Sequence, residues 1–141
     1  MNAKFWIASV AGGIFSFLLG WLIYGILLMH FMESQVVHYE GLMNPMPNLY
    51  LIFLANLLTG FFYTIVLSRW AEIRTFVKGL TGGLFLGFSM SLIYDLFMMS
   101  QMNLYTYTAM FVDIVATTVI GALTGGLIGW ILGYEKKAAK A

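Results

Sequence analysis

Apolar residues in this chain fall into four runs, at residues 5–29, 49–68, 76–99 and 107–133. Each matches the roughly 20 largely apolar residues that a helix needs to cross a bilayer. Polar and helix-breaking residues stand between them: Gly41, Asn44, Pro45, Pro47 and Asn48 in the first break, residues 69–75 in the second, residues 100–106 in the third. The runs lack the polar face of a soluble amphipathic helix. They predict an all-α polytopic membrane protein with four transmembrane helices in one membrane domain, followed by a tail at residues 134–141. The two shorter breaks predict tight antiparallel hairpins. The first run exceeds the roughly 7–15 apolar residues of a secretory signal core and has Trp21-Leu22-Ile23-Tyr24 where small cleavage-site residues would stand, so it reads as a retained span.

Composition agrees with this pattern. Of 141 residues, 61% are hydrophobic and 9% charged, against roughly 25% charged in an ordinary soluble domain. The net charge of +1 predicts no nucleic-acid partner. The absence of cysteine excludes disulfides, thiolate metal ligands and cysteine nucleophiles. Placement of the charges says more than their sum. All seven basic residues fall on one side of the four runs: Lys4, then Arg69, Arg74 and Lys78, then Lys136, Lys137 and Lys140. The positive-inside rule then puts both termini and the second loop in the cytoplasm. Trp6, Trp70 and Trp130 lie near those cations, and Tyr39, Tyr50, Tyr105 and Tyr107 lie towards the other face, as an interfacial aromatic belt requires.

A shift of about seventy residues superposes Gly12-Gly13-Ile14-Phe15 on Gly82-Gly83-Leu84-Phe85, and Leu22-Ile23-Tyr24 on Leu92-Ile93-Tyr94. This suggests a duplicated two-helix hairpin, with one copy over residues 5–69 and the other over 76–133. An even number of spans per copy inserts both the same way up. Small residues also recur every fourth position: Ala8, Gly12, Ser16 and Gly20 in the first run, Gly79, Gly83, Gly87 and Ser91 in the third, and Gly121, Gly125, Gly129 and Gly133 in the fourth. Lipid gives helices no hydrophobic reason to associate, so such glycine-zipper stripes let backbones approach and gain dispersion contacts. The spacing leaves open whether they pack within one chain or between chains of a homo-oligomer.

Six acidic residues remain to be placed. Glu72 and Glu135 lie among the cytoplasmic cations. Asp95 lies roughly 25 Å above Lys78 at 1.5 Å per residue, and Asp113 near the outer interface. Ionisable groups at such depth mark positions facing protein or water. Asp95 extends the stripe of the third run by one step and Asp113 that of the fourth through Thr117, so both are expected to face the bundle. His30 and Glu33 share one helical face. With Tyr24, Asn56, Asp95 and Asp113 they are expected to line an outward-facing polar vestibule able to hold a cation or pass protons. Each has a plainer reading: Asp113 offsetting a helix macrodipole, Asp95 hydrogen-bonded to a neighbouring Tyr, Ser or Asn, His30 a hydrated loop residue. The ten methionines suit lipid-facing and gap-filling positions. No metal, cofactor or catalytic constellation is expected.

At Phe17-Leu18-Leu19-Gly20-Trp21-Leu22-Ile23-Tyr24, and again at Phe111-Val112-Asp113 followed by Gly121 and Gly125, the chain resembles a family of small bacterial four-helix membrane proteins of unknown function. The resemblance implies a bacterial inner membrane and no particular activity, and it draws attention to Tyr24 and Asp113. Two functions are expected from the whole: transport or binding of a proton, cation or small solute, or a non-catalytic role as an assembly subunit of a larger membrane complex.

Overall fold

A computed structural model describes residues 2–134. The tail cations Lys136, Lys137 and Lys140, and Glu135, lie outside the described residues. Among the described residues the fold is all-helical. Helix α1 (Ala3–Leu22) runs on through a π-helical turn, Ile23–Leu27; α2 is Met29–Gln35; α3 (Leu49–Ile65) ends in a second π-helical turn, Val66–Trp70; α4 is Phe76–Gln101 and α5 is Tyr107–Gly133. Counted with their π-helical turns, α1, α3, α4 and α5 are long and apolar enough to cross a membrane, with mean hydropathy between 1.5 and 2.0. Local chemistry sets where they start. Asn2, Asn48, Thr75 and Thr106 each accept a hydrogen bond from the amide three residues on, satisfying a donor that the first turn cannot.

The small-residue stripes of α4 and α5 set the tightest contact. Each small residue of α4 sits between two of α5: Gly79 between Gly125 and Gly129, Gly83 between Gly121 and Gly125, Gly87 between Thr117 and Gly121. A methyl group at Gly83 would lie 2.8 Å from the Gly125 Cα and closer still to the Gly121 carbonyl. Gly133 closes against the Arg74 backbone in the same way. Helix α1 uses its adjacent glycines in two directions. A methyl at Gly12 would meet Ile128 of α5, and one at Gly13 would lie 2.7 Å from the Leu57 Cα of α3.

Packing is uneven along the bundle. Ala8, Tyr63, Leu67, Ile73, Ile128 and Leu132 form a buried cluster at the end that carries Lys4, Arg69, Arg74 and Lys78. On α3 the buried residues are Gly60, Tyr63 and Thr64, followed by Leu67 in the π-helical turn, while the outer residues Leu49, Leu51, Leu54 and Leu58 are exposed. Helix α3 packs along α1 and touches α5 near its basic end, but does not run along α4. The expected tight hairpin is therefore found for α4 and α5 and not for α3 and α4, which diverge from their short connection. The chain also forms a short helix, α2, that the sequence pattern does not predict: the first span breaks at Leu28, close to its expected end at residue 29, and the chain coils again from Met29.

Candidate functional site

The register of α4 on α5 continues past the glycines. Extended by one step it places Ser91 between Asp113 and Thr117, and by two it places Asp95 between Ala109 and Asp113. The hydrogen bonds follow this order. The Ser91 hydroxyl lies 3.1 Å from Asp95 Oδ2 and 3.3 Å from Asp113 Oδ2, so one hydroxyl stands between the two carboxyl groups. Asp95 is 2% exposed. Both aspartates stand six residues inside their helix ends, Gln101 and Tyr107, a depth of about 9 Å.

Two tyrosines complete the pair. Tyr24 donates to Asp113 Oδ1 at 2.7 Å and lies 2.9 Å from the Thr117 hydroxyl. It sits in the π-helical turn that ends α1, a wider turn of the kind that often accompanies functional sites. Tyr105 donates to Asp95 Oδ1 at 2.8 Å from the loop between α4 and α5. That loop is pinned from the other side of the molecule: Val37 N–H donates to the Leu104 carbonyl at 2.7 Å, and the Thr106 hydroxyl donates to Gln35 Oε1 at 2.6 Å. Burial, and next the hydrogen bond and charge of Asp95, push the Tyr105 phenol above its ordinary pKa. All four hydrogen bonds to the two carboxylates thus come from hydroxyl groups. Ser91 has one hydroxyl hydrogen and serves one carboxylate at a time.

Beside the pair lies a cavity of about 540 Å³ to which all four long helices contribute. Its wall is mostly apolar, with Phe17 and Trp21 from α1, Ile52 from α3, Met90 from α4 and Ile120 from α5. Its polar groups include Ser16 and Asn56, which bond to each other at 2.8 Å, and Tyr24 and Thr117, which separate it from the carboxylates. Tyr63 and Thr124 lie deeper.

The expected vestibule thus divides in two. Tyr24, Asp95 and Asp113 come together, in a partly buried cluster with Tyr105 on the loop side of Asp95 rather than an open polar funnel. Asn56 belongs to the cavity. His30 and Glu33 lie on α2, exposed, and neither joins the cluster; the break at Leu28 turns their shared face away. Among the described residues no group of three or more His, Asp or Glu is placed to hold a metal ion. Ser91, Thr117 and Tyr105 complete the site, and Tyr63 and Thr124 complete the cavity. The four-residue stripes already contained Ser91 and Thr117, and Tyr105 stood only as a member of the aromatic belt, whereas nothing in the sequence singles out Tyr63 or Thr124. No family model, curated protein or solved structure matches this chain.

Proposed function

We propose that the protein is a multi-pass membrane protein, with both termini cytoplasmic, that binds a proton or small cation between Asp95 and Asp113 and moves it, alone or with a small solute. Large apolar side chains exposed around the bundle, such as Phe85, Phe97 and Phe111, support residence in lipid. The distribution of Lys4, Arg69, Arg74 and Lys78 supports the orientation. Residues 5–69 and 76–133 are read as copies of one hairpin; supporting this, the pairs α1–α3 and α4–α5 both cross at glycine, Gly13 against Gly60 in the first and Gly83 against Gly121 and Gly125 in the second.

One observation carries the functional reading: two carboxyl groups on neighbouring helices, Asp95 buried and Asp113 half-buried, stand on either side of the Ser91 hydroxyl, and their hydrogen-bond partners are all uncharged hydroxyls. Two like charges at about 4 Å repel by roughly 4 kcal/mol even at an effective dielectric of about 20. A shared proton or a bound cation removes that cost, and its release restores it, which makes the pair a loading site. Tyr105, hydrogen-bonded to Asp95 and held by the 35–37 segment, must move for the pair to open towards the outer face. In liposomes reconstituted with the full chain, an imposed potential drives proton or alkali-cation flux, and Asp95→Asn abolishes it. Flux that survives the substitution, or that the native chain lacks in both directions of potential, overturns the reading.

The assembly-subunit reading has one observation in its favour, the outer half of α3, which packs on α1 but not along α4 and leaves Leu49, Leu51 and Leu54 exposed. Purification in mild detergent from native expression tests it: a reproducible heteromeric partner supports it, and the chain recovered alone counts against it.

A further inference from the structure

We propose that the pocket lined by Lys4, Arg69 and Arg74, at the basic end of the bundle, binds a phosphate group carried by an anionic lipid headgroup or by a small soluble phosphate. The site is separate from the carboxylate pair, and its test reads anion binding rather than flux, so either proposal can fail without the other.

Separate elements build the pocket. Lys4 and Phe5 come from the first turn of α1, Ser68 and Arg69 from the π-helical turn that ends α3, Leu132 from the last turn of α5, and Arg74 from the loop before α4. That loop doubles back at Glu72, where φ is 49°. Ile73 then donates its N–H to the Leu67 carbonyl at 2.8 Å and puts its side chain in the core. Arg74 is thereby fixed over the end of α3: its Nη1 donates to the Ile73 carbonyl at 2.8 Å and lies 3.5 Å from the Ser68 carbonyl. With Nη1 so engaged, the hydrogens on Nε and Nη2 form the planar fork that takes two oxygens of a phosphate.

Charge sets the sign of the ligand. Three cations line the pocket and no acidic side chain does; even Glu72, between Arg69 and Arg74 in sequence, stays outside the lining. Like charges gathered in one concavity repel, and an anion removes that cost. The remaining polar groups point the same way. Asn2, also in the lining, uses its Oδ1 to accept from the Phe5 N–H at 3.1 Å, which leaves its amide hydrogens as donors, and the start of α1 adds the positive end of a helix dipole.

Size and depth set the class. A volume of about 190 Å³ falls below the roughly 300–1,000 Å³ of sites that enclose a whole drug-sized molecule, so the pocket suits one headgroup-sized anion. Trp6 and Trp70, each next in sequence to a lining residue, are exposed, as side chains at a lipid headgroup level are. Basic pockets between spanning helices at that level take phosphate-bearing headgroups.

The test titrates the full chain in uncharged detergent with phosphatidylglycerol and with phosphatidylcholine, counting bound lipid by native mass spectrometry. One phosphatidylglycerol is expected to bind ahead of phosphatidylcholine, whose choline brings a further cation to the pocket. Arg74→Gln is expected to weaken it by about 10- to 100-fold, the worth of a charge-assisted hydrogen bond. Lys78→Gln, outside the pocket, is expected to weaken it by no more than about 5-fold, the worth of one charge near an anionic surface. Should Arg74→Gln not fold, Arg69→Gln and Lys4→Gln, at exposed side chains, carry the same comparison with Lys78→Gln. Calorimetric titration with inorganic phosphate separates the two sources: binding that Arg74→Gln or Arg69→Gln removes assigns the site to a soluble phosphate, and binding of phosphatidylglycerol alone assigns it to a headgroup. Equal retention of the two lipids without phosphate binding, pocket variants that bind as the native chain does, or a loss in Lys78→Gln as large as in the pocket variants overturns the proposal.

Discussion

Two substitutions to alanine at glycines of the same four-residue periodicity should move stability in opposite directions. At Gly83 the new methyl group faces backbone: the Gly121 carbonyl, the Gly125 Cα at 2.8 Å and the Gly125 nitrogen at 3.0 Å. An ordinary contact begins near 3.4 Å, so α4 and α5 must separate by at least about 0.6 Å. None of these atoms can rotate away. The displacement also reaches the rows at Gly79 and Gly87 and the 3.3 Å contact between Ser91 and Asp113. Overpacking of this kind costs about 1–3 kcal/mol, and obstacles made of backbone put Gly83→Ala near the top of that range. The better helix propensity of alanine returns about 1 kcal/mol, leaving a net loss of about 2 kcal/mol. At Gly20 the methyl meets nothing within 4 Å, so Gly20→Ala keeps the propensity gain of about 1 kcal/mol. The two variants should differ by about 3 kcal/mol, close to a hundredfold in the ratio of folded to unfolded protein. Steric-trap unfolding in bicelles, or reversible titration with dodecyl sulfate in mixed micelles, measures this directly. Equal midpoints for the two variants, or Gly83→Ala the more stable, would refute the argument that backbone contact along α4 and α5 holds the bundle together.

Other consequences can be checked with similar means. Tyr24→Phe leaves Asp113 Oδ1 without its 2.7 Å donor and should cost about 1–3 kcal/mol in the same unfolding assay; a neutral result would mean that water replaces the phenol. The Tyr105 phenol is raised above its ordinary pKa in the fold, so it holds its proton where the unfolded chain has lost it. Its contribution is therefore intact below about pH 10 and declines as pH rises beyond that; Tyr105→Phe should flatten this alkaline limb relative to the native chain, and parallel limbs would exclude the effect. Reporter domains fused after Arg74 and after Ala141 should be found on the same face of the membrane, and opposite faces would end the four-span reading.

The four long helices were legible because the bilayer-length requirement acts on each run by itself, whereas α2 and the caps at Asn2, Asn48, Thr75 and Thr106 were not read from the pattern. The approach of Asp95 to Asp113 was half legible. The stripes indicate which face each aspartate occupies, but a four-residue periodicity is compatible with several registers of α4 on α5. A slip by one turn keeps every glycine opposite a small residue while moving Ser91 away from Asp113. The choice is made by contacts outside the stripes, including Thr75 and Arg74 against Gly129 and Gly133 and the Thr106–Gln35 hydrogen bond. His30 and Glu33 misled for a related reason: i, i+3 spacing fixes a shared face but not its direction, which the turn at Leu28 resets. The cavity left no local trace, since Tyr63 and Thr124 read as ordinary apolar-helix residues until α3 is seen to diverge from α4.

Tyr24 is where the two halves of the molecule meet. Its ring lines the cavity, while its hydroxyl supplies the shortest hydrogen bond to Asp113 and contacts Thr117, another cavity residue. Anything that occupies the outer part of the cavity and draws that hydroxyl towards itself therefore removes a donor from the carboxylate pair. A carboxylate deprived of a donor in a low-dielectric setting holds a proton or cation more firmly. The reverse must hold by linkage: a change of charge at Asp95 and Asp113 alters the pull on Tyr24 and hence the shape of the cavity wall. The π-helical turn at Ile23–Leu27 suits such a pivot, because it interrupts the regular α-helical ladder at Tyr24 itself, as such turns often do at functional sites.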